Sequence, residues 1–268
     1  MSAGRVLRGS SMLVRSGSAT DVGRVRDHNE DSVIAGARVF AVADGMGGHA
    51  AGEVASRIAV DALADLEEHP PSRPEDVAAL LREANRRILE AATEHPELRG
   101  MGTTAAGVTV VDAGGREHWV VFNVGDSRVY RLADNRMHQV TRDHSEVREL
   151  IDAGLLRASE VATHPLRNVI TRSLGTDPAP EPDVWVLAPT PGERFVVCSD
   201  GLSNELEDRD IMLLARRHTD PQEAADELVA AAVRAGGRDN VSVVVVAVDA
   251  GDGDDEADTA PRAGLHRP

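Results

Sequence analysis

Phe40-Ala41-Val42-Ala43-Asp44-Gly45-Met46-Gly47-Gly48-His49 runs four apolar residues straight into an acid and then into a loop with three glycines. The pattern predicts a buried strand that delivers Asp44 at its end, where a fold holds a carboxylate still and leaves it reachable. The glycines let backbone come close to whatever the acid binds. Three other acids, Asp31, Asp200 and Asp239, also border apolar strand-like runs. Asp44 is therefore expected to gather them into one metal site.

Working outward, residues 32–34 and 38–43 read as two strands of a hairpin joined through Gly36. A helix is predicted over 51–66, where Val54, Ile58, Ala62 and Leu66 recur every fourth position. Ser72-Arg73-Pro74-Glu75 has the form of a capping box with proline in the first turn. It opens a second helix with the stripe Val77, Leu80, Leu81, Ala84, Ile88 and Ala92. Strands over 103–111, 119–124, 128–132 and 137–140 are separated by short turns, and such closeness implies antiparallel pairing. A helix over 145–153 stops at Gly154, and the irregular section from there to Gly175 is expected to form a flap. A strand over 194–198 again ends in acid and glycine, Ser199-Asp200-Gly201. Helices near 208–218 and over 221–235, the latter capped by Asp220, precede a last strand over 241–248. There is no internal repeat.

The element order predicts an α+β fold, a central β-sandwich of two mostly antiparallel sheets flanked by pairs of helices in four layers, α-β-β-α. Residues 1–17 are Gly/Ser/Arg-rich and expected to be mobile, 18–249 to form one catalytic domain, and 250–268 to be an acidic disordered tail.

Composition narrows the function. A chain of 268 residues can bury a sizeable core, and with six Phe, Trp and Tyr in all that core must be filled by Val, Leu, Ile and Ala. A net charge of −16 with no basic block argues against a nucleic-acid binder. The single cysteine, Cys198, excludes an internal disulfide or a cysteine zinc cluster and reads as a small core residue. The N-terminal residues have charge but no continuous apolar core, so no secretory signal is expected there, and the longest apolar run, 241–248, is too short to span a bilayer. A soluble, cytoplasmic monomer with no membrane partner is expected.

Carboxylates in turns, without a His/Cys cluster, suit hard oxygen-seeking ions such as Mg²⁺ or Mn²⁺. Two such ions about 3.5–4 Å apart, sharing a carboxylate, can turn a bridging water into hydroxide at neutral pH and suit in-line attack on phosphorus. Arg26 could bind the equatorial oxygens, because guanidinium matches phosphate bidentately. Taken singly each signal is weak: Asp-Gly is a common turn, strand-end acids are ordinarily solvated, and a lone Arg26 or Asp126 would pass as surface.

Together the motifs carry a resemblance. Residues 23–32 (Gly-Arg-Val-Arg-Asp-His-Asn-Glu-Asp-Ser) and Ala43-Asp44-Gly45-Met46-Gly47-Gly48 resemble the first two motifs of the metal-dependent (type 2C, PPM) serine/threonine protein phosphatases, bacterial branch. Gly102-Thr103-Thr104, Val124-Gly125-Asp126-Ser127-Arg128, Thr141-Arg142-Asp143-His144-Ser145 and Thr171-Arg172-Ser173-Leu174-Gly175 follow in the family's order. Ser199-Asp200-Gly201-Leu202 and Gly237-Arg238-Asp239-Asn240-Val241 complete the set, so that the likeness covers roughly residues 19–248.

The resemblance implies a hydrolase that dephosphorylates phosphoserine and phosphothreonine on proteins by attack of a metal-bridging hydroxide, without a phosphoenzyme. Its partners would be a bacterial-type Ser/Thr protein kinase and that kinase's substrates, and its cofactors two Mn²⁺ or Mg²⁺ ions with a third, weaker one. It further implies that Asp44 bridges the metals and the Gly45 carbonyl ligates one, that Asp200 and Asp239 complete the other shell, and that Glu30 and Asp31 act through bound waters. Asp126, with Asp200, would take the third ion; Arg26 would hold the phosphate; Asn240 would support the loop near it as part of the substrate site; and residues from about 143 to 175 would form the family's flap. One departure stands out. Met46 occupies a position where some members carry a proton-donating histidine; a water on the third ion or His49 could take that role. Two rival readings are a phosphatase of anti-sigma antagonist proteins, and a pseudophosphatase serving as a binding module. The intact acids disfavour the second.

Overall fold

The computed structural model describes residues 5–6, 12–47, 51–113 and 115–250. In chain order its first half holds β1 (Arg5–Val6), β2 (Met12–Asp21), β3 (Ser32–Ala35), β4 (Val39–Ala43), β5 (Gly45–Met46), α1 (Ala51–Glu68), α2 (Pro74–Glu94), β6 (Gly102–Thr103), β7 (Ala105–Ala113) and β8 (Arg116–Val124). There follow β9 (Arg128–Ala133), β10 (Arg136–Gln139), α3 (Glu146–Asp152), β11 (Asp183–Leu187), β12 (Arg194–Cys198), α4 (Asp200–Ser203), α5 (Asp208–Arg217), α6 (Pro221–Ala235) and β13 (Val241–Ala250). Six strands form one sheet, β1-β2-β13-β12-β9-β10, and five form a second, β11-β8-β7-β4-β3, while β5 pairs with β6. Every ladder between described strands is antiparallel.

Strand alternation sorts the core into three layers. In β4, Val39, Ala41 and Ala43 face α1 and α2, packing with Leu63, Leu81 and Ile88. Their neighbours Phe40 and Val42 point the other way, between the sheets, where Val108, Trp119, Phe195 and Val244 lie. β13 divides likewise: Val244, Val246 and Val248 enter the inter-sheet layer, whereas Val241, Val243 and Val245 pack with Leu228 and Ala232 of α6. This period-2 division, buried on both faces, is what an uninterrupted apolar strand requires. Trp119 sits edge-on between Phe40 and Phe195, with ring centroids 6.4 and 5.4 Å away, and ties one sheet to the other. The result is the four-layer α-β-β-α sandwich.

Four local features differ from the sequence reading. Residues 12–17, expected to be mobile from their Ser, Gly and Arg content, belong to β2, which pairs with β13 from Met12 to Asp21. β11 was hidden by the prolines that precede it at 178, 180 and 182, and α4 by its brevity. The second helix is capped by Asp76 rather than Glu75: its carboxylate accepts from the Ser72 and Arg73 amides at 3.1 and 3.0 Å. The Asp220 cap stands, its Oδ1 accepting from Gln222 N at 2.9 Å. The expected flap contains α3 and a 3-10 turn at Ala158–Thr163, and its ends are joined by a Ser145–Ile170 bridge. Residues of the expected acidic tail beyond Ala250 lie outside the described residues. Among the described residues no helix is long and apolar enough to cross a membrane.

Candidate metal centre

Antiparallel pairing brings the acids to one end of the sandwich. Asp44 follows β4, and Asp31 immediately precedes Ser32, which pairs with Ala43. Asp126 leaves β8 at Val124, opposite Ala105, and Asp200 leaves β12 at Cys198, opposite Val243. Asp239 and Asn240 lead into β13.

The backbone at this end is fixed by side chains from the short loops. Asp44 is gripped on both sides of its peptide: its amide donates to Thr104 Oγ1 at 2.9 Å, and its carbonyl accepts from Thr104 N and Thr103 Oγ1, each at 2.9 Å. Gly45 is a cradle. A Cβ there would stand 2.2 Å from Gly52 O and 2.4 Å from Glu30 O, so only glycine lets α1 and the Glu30 loop come this close. Met46 is half-buried and packs beside Gly102, consistent with a packing role. His49 lies outside the described residues.

The carboxylates are poorly compensated. Asp31 Oδ2 accepts from Ser199 Oγ at 2.8 Å, but its Oδ1 is buried without a partner, as is Asp126 Oδ1. Asp200 Oδ2 accepts from Asn204 Nδ2 at 2.9 Å. Among these five acids and the described residues, only Asp239 has an ion pair: its Oδ2 accepts from Arg26 Nη2 at 2.8 Å. Burial, reinforced by the neighbouring acids, pushes Asp31 up to about 7, Asp126 up to about 8 and Asp200 up to about 6. Asp44, facing Asp31, Asp200, Asp126 and Asp239, is raised well above the carboxylate range by the same two causes. Buried acids that repel one another and keep oxygens free call for a cation.

The donor set says which kind. Among the described residues no three His, Cys, Asp or Glu side chains form a ready-made ligand group for one ion. Spread carboxylates with free oxygens suit hard divalent ions that retain water in their shells, not a closed site for a soft metal. The residues present therefore fit Mg²⁺ or Mn²⁺.

Asn240 is bonded into the neighbouring loop. Its Nδ2 donates to Val22 O and His28 O at 3.0 and 2.9 Å, and its Oδ1 accepts from Glu30 N at 2.8 Å. At 5% exposure, with both of its N–H donors committed, it holds the loop carrying Arg26 and Glu30. Ser199, Thr103, Thr104 and Asn204 complete the site without a role assigned from sequence; the first three stand inside the quoted motifs, which was their only signal. A cleft of about 500 Å³ opens beside the acids, lined by Arg26, Arg128, Arg167, Arg238 and Asp239.

Comparison with known proteins follows this geometry. A family profile described as Protein phosphatase 2C matches residues 24–234. The serine/threonine protein phosphatase PstP of Mycobacterium tuberculosis is 41% identical over 240 residues, covering 89% of this chain and 46% of its own length. The chain thus spans about half the length of that relative. The serine/threonine phosphatase stp of Listeria monocytogenes is 34% identical over 238 residues, with 85% and 93% covered. The solved catalytic domain of PstP in complex with 2 manganese ions superposes with a TM-score of 0.81 at 37% identity, covering 89% of this chain and 99% of that one. The chain is a member of the protein phosphatase 2C family.

Proposed function

We propose that the protein is a Mn²⁺- or Mg²⁺-dependent phosphatase that hydrolyses phosphoserine and phosphothreonine in proteins, and that it reverses the work of a Ser/Thr protein kinase. The observation that carries this reading is the set of buried, mutually repelling acids, two with an unpartnered oxygen, beside the half-exposed Arg26. The naming of its relatives as serine/threonine phosphatases supports it. Asp44, Asp200, Asp239 and the Gly45 carbonyl would hold two ions, with Glu30 and Asp31 beside them, and Asp126 with Asp200 a third. When bound, such ions supply Lewis-acid stabilisation of phosphoryl charge and a nucleophile from water at neutral pH.

The chain's own residues do the rest. Arg26 orients the phosphoryl oxygens through its planar fork, while its Nη2 contact keeps it beside Asp239. Asn240 fixes the loop from which Arg26 and Glu30 project. One chain carries every acid of the site, so a monomer suffices. The cytoplasm, where kinases meet ATP, is the compartment assigned. The test is a phosphothreonine-peptide assay with and without Mn²⁺, using wild type and Asp44→Asn. Turnover should require metal and fall by about 10³-fold or more in the variant, with an unchanged circular dichroism spectrum. Near-wild-type turnover in Asp44→Asn would overturn the assignment.

A further inference from the structure

The motif Thr141-Arg142-Asp143-His144-Ser145 has no part in the chemistry so far, yet His144 is one of the most enclosed polar side chains, 2% exposed. It grips both main-chain groups of Gly125. The His144 amide donates to Gly125 O at 2.9 Å, and the Gly125 amide donates to His144 Nδ1 at 3.0 Å. Asn123 Nδ2 adds a second donor to Gly125 O at 3.0 Å. Gly125 has φ +109°, and a Cβ there would lie 2.5 Å from Thr104 Cγ2, so the turn has no other residue to use and little room to move. Asp126, with its buried unpartnered Oδ1, is the next residue.

On its other side His144 meets the expected flap. Nε2 lies 3.2 Å from Asp183 Oδ2, and Asp183 Oδ1 accepts from Arg172 Nη1 at 3.1 Å. The His144 carbonyl accepts from Thr171 N at 2.9 Å, next to the Ser145–Ile170 bridge. These partners fix the proton. A backbone N–H faces Nδ1, which must therefore be the acceptor, and a carboxylate faces Nε2, which must carry the hydrogen. Arg172 Nη1, 3.4 Å from Nε2, is also a donor and shares the carboxylate rather than bonding the ring.

We infer that His144 is a positioning residue for Asp126: as the neutral Nε2–H tautomer, oriented by Asp183, it clamps Gly125 and couples the Asp126 carboxylate to the base of the 143–175 segment. A histidine that only filled space would need neither the acceptor nor the carboxylate behind it. The inference rests on the reading of Asp126 as a metal-holding acid.

Two substitutions separate the ring's two ends. Asparagine places an acceptor near Nδ1 and abandons Asp183; glutamine reaches toward Asp183 and removes the acceptor from Gly125. Hydrogen exchange at the Gly125 amide of the metal-free protein should accelerate about tenfold or more in His144→Gln and about threefold or less in His144→Asn. The Mn²⁺ concentration for half-maximal phosphopeptide hydrolysis should rise about tenfold in His144→Gln with KM for peptide nearly unchanged, and stay close to wild type in His144→Asn. In an Asp126→Asn background the glutamine substitution should add less than about twofold, since its effect passes through Asp126. Asp183→Ala, at a half-exposed position, should raise the Mn²⁺ requirement about threefold and provides a second route if His144→Gln does not fold. Equal behaviour of the Asn and Gln variants, or an undiminished effect of Gln without Asp126, would overturn the inference. A wild type with no Mn²⁺-dependent turnover would instead overturn the metal reading, while the exchange of Gly125 still decides the clamp.

Discussion

Arg26 is half exposed, and its ion pair with Asp239 reaches across from the loop before β3 to the turn before β13. A pair so open to solvent contributes only about 0–1 kcal/mol to stability. In the proposed function its weight falls on substrate instead, because a guanidinium presents two parallel donors to a phosphoryl group and an ammonium cannot. Arg26→Lys should leave the melting temperature within about 2 °C of wild type. It should also lower kcat/KM for a phosphothreonine peptide about tenfold or more, measured at saturating Mn²⁺. A comparable loss of stability and activity would mean that Arg26 matters as a structural tie.

α2 makes the comparable case for an element. Asn85 on its inner face is 2% exposed and makes three bonds to the last residue of the Thr171–Gly175 motif and the residue after it. Its Oδ1 accepts from Gly175 N at 2.7 Å and Thr176 N at 3.2 Å, and its Nδ2 donates to Thr176 O at 3.1 Å. At about 1 kcal/mol per bond, with buried amides left unpaired, Asn85→Ala should cost about 2–4 kcal/mol, read as a lower urea midpoint with unchanged slope. The helix itself was legible from its stripe of Val77, Leu81, Ala84 and Ile88, since that signal is local; the task of Asn85 was not, because its partners lie some ninety positions away. The same divide runs through the chain. β4 and β12 announce themselves by apolar residues ending in acid, whereas β2 looks like a linker until β13 buries one side of it at Val14 and Ser16. The acids could be read from their strand-end setting. The clamps on them, Asn240, Ser199 and His144, depend on contacts between distant segments and could not.

At the scale of the whole molecule, the sandwich gathers five acids at one end, and the fold bears the cost of burying them together. Wild type in EDTA should therefore melt lower than in Mn²⁺, because metal that binds only the folded chain adds about 2.7 kcal/mol at a hundredfold excess over Kd. Asp44→Asn should behave in the opposite sense. Without metal it should be at least as stable as wild type at neutral pH, because burial and the neighbouring acids raise the Asp44 carboxyl and so cost stability that an amide does not, and with Mn²⁺ it should gain less. Thermal melts of both proteins in EDTA and in Mn²⁺ give all four values. A metal-free Asp44→Asn clearly less stable than metal-free wild type would show that Asp44 is held for packing rather than for charge.

The place of β13 sets when the candidate site can close. It lies between β2, paired along ten positions, and β12, paired along five. During synthesis the six-stranded sheet therefore has a gap at its centre until residues 241–250 emerge, long after the five-stranded sheet has all its strands through β11. Asp239 and Asn240 are made just before that gap can close, so the loop of Arg26 and Glu30 lacks their two contacts until then. Such distant closure is slow to form. A chain truncated before β13 should therefore show no metal-dependent turnover of a phosphothreonine peptide, rather than part of it.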